Sequence, residues 1–120
     1  MYSIKENYDL LRLKNKIINQ IIYGLNVISL IFDGGYIQIC GAGFSFEKEG
    51  KRLYFHELYP VRTDFGLLTL LEEKISNVEI NDPDRDKLTI EFANGSKLYL
   101  EGNSNYEAFI IEIDGDETTV

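Results

Sequence analysis

With 120 residues, 44% of them hydrophobic and 27% charged, the chain has the make-up of one globular domain, long enough to bury a core without staples. Its 12 Lys and Arg against 20 Asp and Glu leave a formal charge of −8, a field that repels phosphates and excludes nucleic acid and anionic lipid as partners. A single cysteine, Cys40, excludes an intrachain disulfide, the N-terminal residues lack a cleavable signal pattern, and the most apolar run, 21–32, is too short to cross a bilayer, so a cytoplasmic protein is expected.

Residues 1–9 are polar and expected to be loosely held. From 10 to 25 two readings compete. Leu10, Leu11, Ile17, Ile18, Ile21, Ile22 and Leu25 fall at helical spacing, with Lys14 the one polar member and Gly24 placed to cap. Four isoleucines, whose branched β-carbons favour strands, argue the other way. Next, 27–32 and 36–40 flank Asp33-Gly34-Gly35 and read as strands joined by a tight turn. Residues 44–47 and 52–55 flank a glycine-containing turn and read as a second hairpin. The stretch 56–63, with Pro60, reads as a loop. Thr63 or Asp64 can cap one short helix over 65–74, with Leu67, Leu68 and Leu71 on its apolar face. A strand at 75–80 and a turn at 81–86 follow.

The stretch 88–102 specifies its own structure most clearly. Leu88, Ile90 and Phe92 alternate with Thr89 and Glu91, Leu98 and Leu100 alternate with Tyr99 and Glu101, and Asn94-Gly95 lies between them. Period-two alternation around Asn-Gly predicts a β-hairpin. A last strand is expected at 108–114, and 115–120 as a mobile polar tail. The hairpin also has an echo: 28–41 and 88–102 share a phenylalanine, a turn glycine and a closing glycine. The expected fold is therefore mainly β (α+β): two antiparallel β-meander halves packed as a sandwich or half-barrel, with one short helix between them, all in a single domain.

Motifs for chemistry are thin. His56 is the only histidine, and the position four residues on, where a zinc motif needs a second one, is Pro60. Cys40 has no partner cysteine and reads as a packed, inert thiol. Asp82, Asp84 and Asp86 mimic the start of a calcium loop, but Lys87 stands where glycine is required and Ala93 where the bidentate glutamate belongs. Gly41-Ala42-Gly43 leads into a strand rather than a helix, so it lacks the setting of a phosphate loop. No catalytic residue, metal or cofactor is expected.

Charge is more informative. Residues 1–60 carry 7 basic and 6 acidic side chains, and residues 61–120 carry 5 and 14. With the second half's alternating leucines and isoleucines turned inward, Glu79, Glu91, Tyr99, Glu101, Ile110, Glu112 and Asp114 turn outward. Crowded carboxylates on one sheet face repel, and a basic partner would relieve the repulsion. Tyr99 and Ile110 are side chains that a merely soluble face does not need. These seven are the expected partner-binding residues.

The order Lys16-Ile-Ile-Asn-Gln-Ile-Ile-Tyr-Gly24, Leu30-Ile-Phe32, Leu70-Leu71, Val78, Leu88-Thr-Ile-Glu-Phe92-Ala-Asn-Gly95 and Tyr106-Glu-Ala-Phe109 resembles a family of small bacterial proteins of unknown function, over residues 13–114. Phe109 stands where that family tends to have tryptophan. The resemblance implies a strand at 17–23. It also implies an immunity protein, one that binds and neutralises a cognate secreted toxin, and it carries no catalytic residues. A nuclease toxin, with its basic cleft, complements an acidic face. The alternative expectation is a small-molecule-binding or enzymatic β-domain with a pocket between the halves.

Overall fold

The computed structural model describes residues 3–41, 43–59, 62, 65–81, 83–103 and 107–120. Alternation decides which side chains meet. Ile28, Leu30 and Phe32 are buried in β2 (Val27–Phe32), and Leu88, Ile90 and Phe92 in β7 (Lys87–Phe92). The remaining strands are β1 (Ile18–Gly24), β3 (Gly35–Ile39), β4 (Phe44–Lys48), β5 (Lys51–Phe55), β6 (Ile75–Ile80), β8 (Lys97–Glu101), β9 (Phe109–Ile113) and β10 (Asp116–Thr119). Antiparallel pairing lines up the buried rows: Leu30 lies opposite Ile37, and Ile37 opposite Ile111. In the same way Ile90 lies opposite Leu98, and Leu98 opposite Phe46. Two five-stranded antiparallel sheets result, sheet I in the order β1-β2-β3-β9-β10 and sheet II in the order β5-β4-β8-β7-β6. Their apolar faces close on one another in a single hydrophobic cluster.

The echo in sequence is a structural repeat. Single 3-10 turns at Leu10–Leu13 and Leu67–Leu70 precede β1 and β6. Both edge strands are irregular at the same place, after Ile18 and after Ile75. Asn15 and Glu72, which precede them, both hold positive φ, 73° and 69°. The last hairpin of each half turns on an equivalent pair, Glu49-Gly50 and Asp114-Gly115, again all at positive φ. The two repeats meet at an Ile17–Lys74 bridge, where Ile18 N–H donates to Glu73 O (3.0 Å) and Ile75 N–H to Lys16 O (2.8 Å).

The halves do not form one sheet each. Hairpin β4–β5 leaves the first half and pairs with β8, while β9–β10 leaves the second half and pairs with β3. This exchange also redistributes charge. The strands of sheet I contain Glu112, Asp116 and Glu117 and no lysine or arginine, whereas those of sheet II contain five basic and four acidic residues.

Three local expectations are corrected, and one open reading is decided. The stretch expected as a strand at 17–23 is β1, Ile18–Gly24, and not a helix. The helix expected over 65–74 is only the 3-10 turn Leu67–Leu70. Gly66 sits at φ 79° and stops a regular helix from starting, and a 3-10 turn aligns i with i+3, so Leu67 and Leu70 are buried while Leu68 and Leu71 stay exposed. The expected caps Thr63 and Asp64 lie outside the described residues, as do Pro60, Ala42 and Asp82. The polar tail is instead strand β10, because Thr118 and Val120 alternate inward beneath an acidic exterior. Near the N-terminus Ile4 and Tyr8 are core residues, with Ile4 N–H donating to Arg85 O at 2.8 Å.

Candidate functional site

Since each sheet has one apolar face, each also has one outer face, and the register defines its rows. Across sheet II run Tyr54, Ser45, Tyr99, Thr89 and Glu79, and beside them Arg52, Glu47, Lys97, Glu91 and Asn77. Across sheet I run Gln20, Ile31, Tyr36, Glu112 and Glu117, and beside them Ile22, Ser29, Gln38, Ile110 and Thr119. The seven expected binding residues therefore do not share a face. Glu79, Glu91, Tyr99 and Glu101 belong to sheet II, and Ile110 and Glu112 to sheet I. Asp114 lies in the β9–β10 turn at φ 52°. Their separation follows from the hairpin exchange, because β8 is bordered by β4 and not by β9.

The outer face of sheet II is balanced, not acidic. Glu91 stands directly opposite Lys97, Glu47 opposite both Arg52 and Lys97, and Lys87 Nζ is 3.7 Å from Glu101 Oε1. The hydroxyl of Tyr99 donates to Glu47 Oε1 at 3.1 Å. Burial pushes the Tyr99 hydroxyl above its ordinary pKa, and the bond to Glu47 adds to the rise. The carboxylate repulsion expected here is already relieved by lysine and arginine from the same sheet.

Sheet I presents the reverse. Glu112 and Glu117 stand directly opposite one another on β9 and β10, and among the described residues neither has a cation within ion-pair distance. Tyr36, across from Glu112 on β3, donates its hydroxyl to Glu117 Oε2 at 3.3 Å. Burial raises the Tyr36 pKa first, and the charges of Glu112 and Glu117 raise it further. Aliphatic side chains are spread along the same outer face: Ile110 on the strand of Glu112, Ile31 two strands away on β2, both half-buried, and Ile22, 46% exposed, on the far edge strand β1. Asp116, the third acid of these strands, is occupied, with Arg12 at 2.9 Å and Lys5 at 3.6 Å.

The other sequence candidates have structural places. Cys40 is half-buried, and burial pushes its thiol above the ordinary value, with Glu107 adding to the shift. His56 is exposed at the end of β5. Asp86 is buried and accepts from Asn81 Nδ2 at 2.8 Å, while Asn81 Oδ1 takes the Asp86 and Lys87 N–H groups, so this turn is held by side-chain bonds of its own. Among the described residues no three His, Cys, Asp or Glu side chains converge as a metal site. No helix among them is long and apolar enough to cross a membrane.

Sequence reasoning missed Ile22, Ile31, Tyr36 and Glu117. Alternation in β2 and β3 already pointed Ile31 and Tyr36 outward, but only the pairing of β3 with β9 sets them beside the acids. Compared with family models, with curated proteins and with solved structures, the chain matches none.

Proposed function

We propose that the chain is a binding protein, an immunity protein that neutralises a cognate toxin domain by docking a basic surface onto the outer face of sheet I. The observation that carries this reading is the opposed pair Glu112 and Glu117, without a cation in ion-pair distance among the described residues, on an outer sheet face that carries half-buried Ile110 and Ile31 and ends at exposed Ile22. Like charges directly across a ladder cost stability, and a cationic partner converts that cost into binding energy. Ile31 and Ile110 supply the apolar centre that charge alone lacks, Ile22 extends it to the far edge, and Tyr36 is the aromatic anchor. A second copy of the chain is a poor occupant, since two such faces repel. The toxin class that fits is a nuclease, whose cleft is basic because it holds phosphates. Ile110 and Glu112 keep the role expected of them from sequence, and Glu79, Glu91, Tyr99 and Glu101 leave this site.

The test pairs two charge reversals. The wild type, Glu112→Lys with Glu117→Lys, and Glu91→Lys with Glu101→Lys are each titrated against the protein encoded by the neighbouring gene. The sheet I reversal is expected to weaken binding by about 2–5 kcal/mol and to remove the salt dependence of the on-rate, with the sheet II reversal close to wild type. Equal affinity for all three, or loss confined to the sheet II reversal, refutes the assignment of the face.

A further inference from the structure

The internal repeat exposes one place where the two sheets differ in backbone. In sheet I, β3 and β9 pair at five positions, and Cys40 N–H extends the ladder to Ala108 O at 2.8 Å. In sheet II the equivalent strands β8 and β4 pair at only three, Tyr99 with Ser45, Leu98 with Phe46 and Lys97 with Glu47. Past Ser45 the strands part, and a cleft of about 240 Å³ opens between them. Its floor is the buried apolar layer of Phe44, Phe55, Leu88 and Leu100. Arg52 and Tyr54 stand on one wall, Lys87 and Tyr99 on the other.

Arg52 is held in place and left with donors to spare. Its Nε–H donates to Ser45 Oγ at 3.0 Å, and its guanidinium carbon lies 3.6 Å from the Tyr99 ring centroid and 4.9 Å from that of Tyr54. Glu47, its cross-strand neighbour, accepts the Tyr99 hydroxyl, and among the described residues the terminal nitrogens of Arg52 have no acceptor. At the repeat-equivalent positions sheet I has Glu117 in place of Arg52 and Gln38 in place of Tyr99. One backbone plan thus carries an arginine between two tyrosines beside an open cleft in one sheet, and a carboxylate on a closed seam in the other.

We propose that this cleft is a receptor for a small organic anion, a phosphate or carboxylate gripped by the terminal nitrogens of Arg52, whose apolar or aromatic body lies over Phe44 and Leu100. A guanidinium offers two parallel N–H groups that match the oxygens of such an anion, and stacking has already removed most of the freedom that binding would otherwise cost. Lys87, across the cleft, adds positive charge; the Glu101 carboxylate that pairs with it at 3.7 Å also lines the cleft, but at 69% side-chain exposure it is screened by solvent. In a chain of net charge −8, this is a place where an anion meets a cationic wall. The site is separate from the outer face of sheet I, so its fate does not depend on the docking assignment.

Phenyl phosphate, benzoate, benzyl alcohol and inorganic phosphate are titrated into the isotopically labelled chain, and backbone amide shifts are followed by NMR. Phenyl phosphate or benzoate is expected to move the amides of residues 43–45 and 99–101, and to bind at least about tenfold more tightly than benzyl alcohol or inorganic phosphate. Arg52→Gln is expected to abolish the shifts. Arg52→Lys, which keeps stem and charge but not the fork, is expected to weaken binding by about tenfold. Arg52 is exposed, so both variants are expected to keep the fold, which unchanged amide shifts away from the cleft check in the same spectra. Shifts confined to other surfaces, binding by Arg52→Gln equal to wild type, or inorganic phosphate binding as tightly as phenyl phosphate would each overturn the proposal.

Discussion

Replacing Tyr8 by Phe isolates one bond that ties the chain's first segment to the hairpin at its other end. Tyr8 is 5% exposed, and its hydroxyl donates to Asp116 O at 2.8 Å and to Ile111 O at 3.2 Å. Phenylalanine keeps the ring and its stacking on Arg12, whose guanidinium carbon lies 4.9 Å from the ring centroid. Only the donor is lost. A net hydrogen bond contributes about 0.5–1.5 kcal/mol, and both carbonyls lie on the paired strands β9 and β10 and keep that pairing, so the expected cost at neutral pH is about 0.5–1.5 kcal/mol. The buried hydroxyl also carries a pH signature. Burial pushes the Tyr8 hydroxyl from 10.0 up to about 12, with Asp116, Glu112 and Glu117 adding and Arg12 opposing. A group whose folded pKa is raised stabilises the fold fully below its unfolded value and loses that contribution as pH climbs through the folded one. The wild type therefore loses stability between pH 10 and about 12 that the variant never had, and the gap between the two must narrow there. Urea unfolding followed by far-UV circular dichroism, at neutral pH and in steps through this window, reads both effects as midpoint shifts at constant m. Equal midpoints at neutral pH, or a gap that stays constant through the window, would refute the reasoning.

Phe65 occupies the position in the second repeat that Tyr8 holds in the first, edge-on to Phe44 (5.4 Å between centroids) and Phe55 (4.9 Å); Phe65→Ala should cost about 3–5 kcal/mol in urea unfolding. Asp116 is held below its ordinary pKa of 3.8 chiefly by the Arg12 hydrogen bond, so its contribution is complete above that value and is lost as pH falls through the lower folded one. Asp116→Asn should flatten that part of the acid unfolding curve, as followed by circular dichroism. Two glycines with φ near 80° should part company: a Cβ at Gly43 runs into Phe55 O, while one at Gly50 meets nothing within 4 Å. Gly50→Ala should cost about 1–2 kcal/mol for the left-handed backbone alone, and Gly43→Ala clearly more in the same denaturation assay.

The strands were legible because their signal is local. Residues 27–32 and 75–80 coincide with β2 and β6, and the hairpin at 88–102 follows directly from alternation around Asn94-Gly95. What was hidden was hidden for physical reasons. Thr118 and Val120 carry the inward period of β10, but the acids around them make the segment read as solvent-exposed. Leu67, Leu68 and Leu71 fit a helical stripe, and the positive φ of Gly66 that forbids the helix is a property of the fold. The candidate face was half legible. Ile110 and Glu112 were correctly turned outward, yet their neighbours depend on which strand borders β9. That choice pairs residues as far apart as Ile37 and Ile111, and no window of sequence contains both.

The exchanged hairpins have a consequence for how the chain reaches this fold. β3 must wait for a partner strand 74 positions further on, since Ile37 pairs with Ile111, and β4 must wait for β8, since Phe46 pairs with Leu98. Closing such distant pairings is slow, and until they close β3, β4 and β8 each offer a bare edge. During that interval a hairpin from a second chain fits the same edge as well as the chain's own does. Two molecules that trade β9–β10 make every contact of the monomer and become a domain-swapped dimer. Refolding at high protein concentration is therefore expected to give more of this dimer than refolding at high dilution, a difference that size-exclusion chromatography of the two products reads.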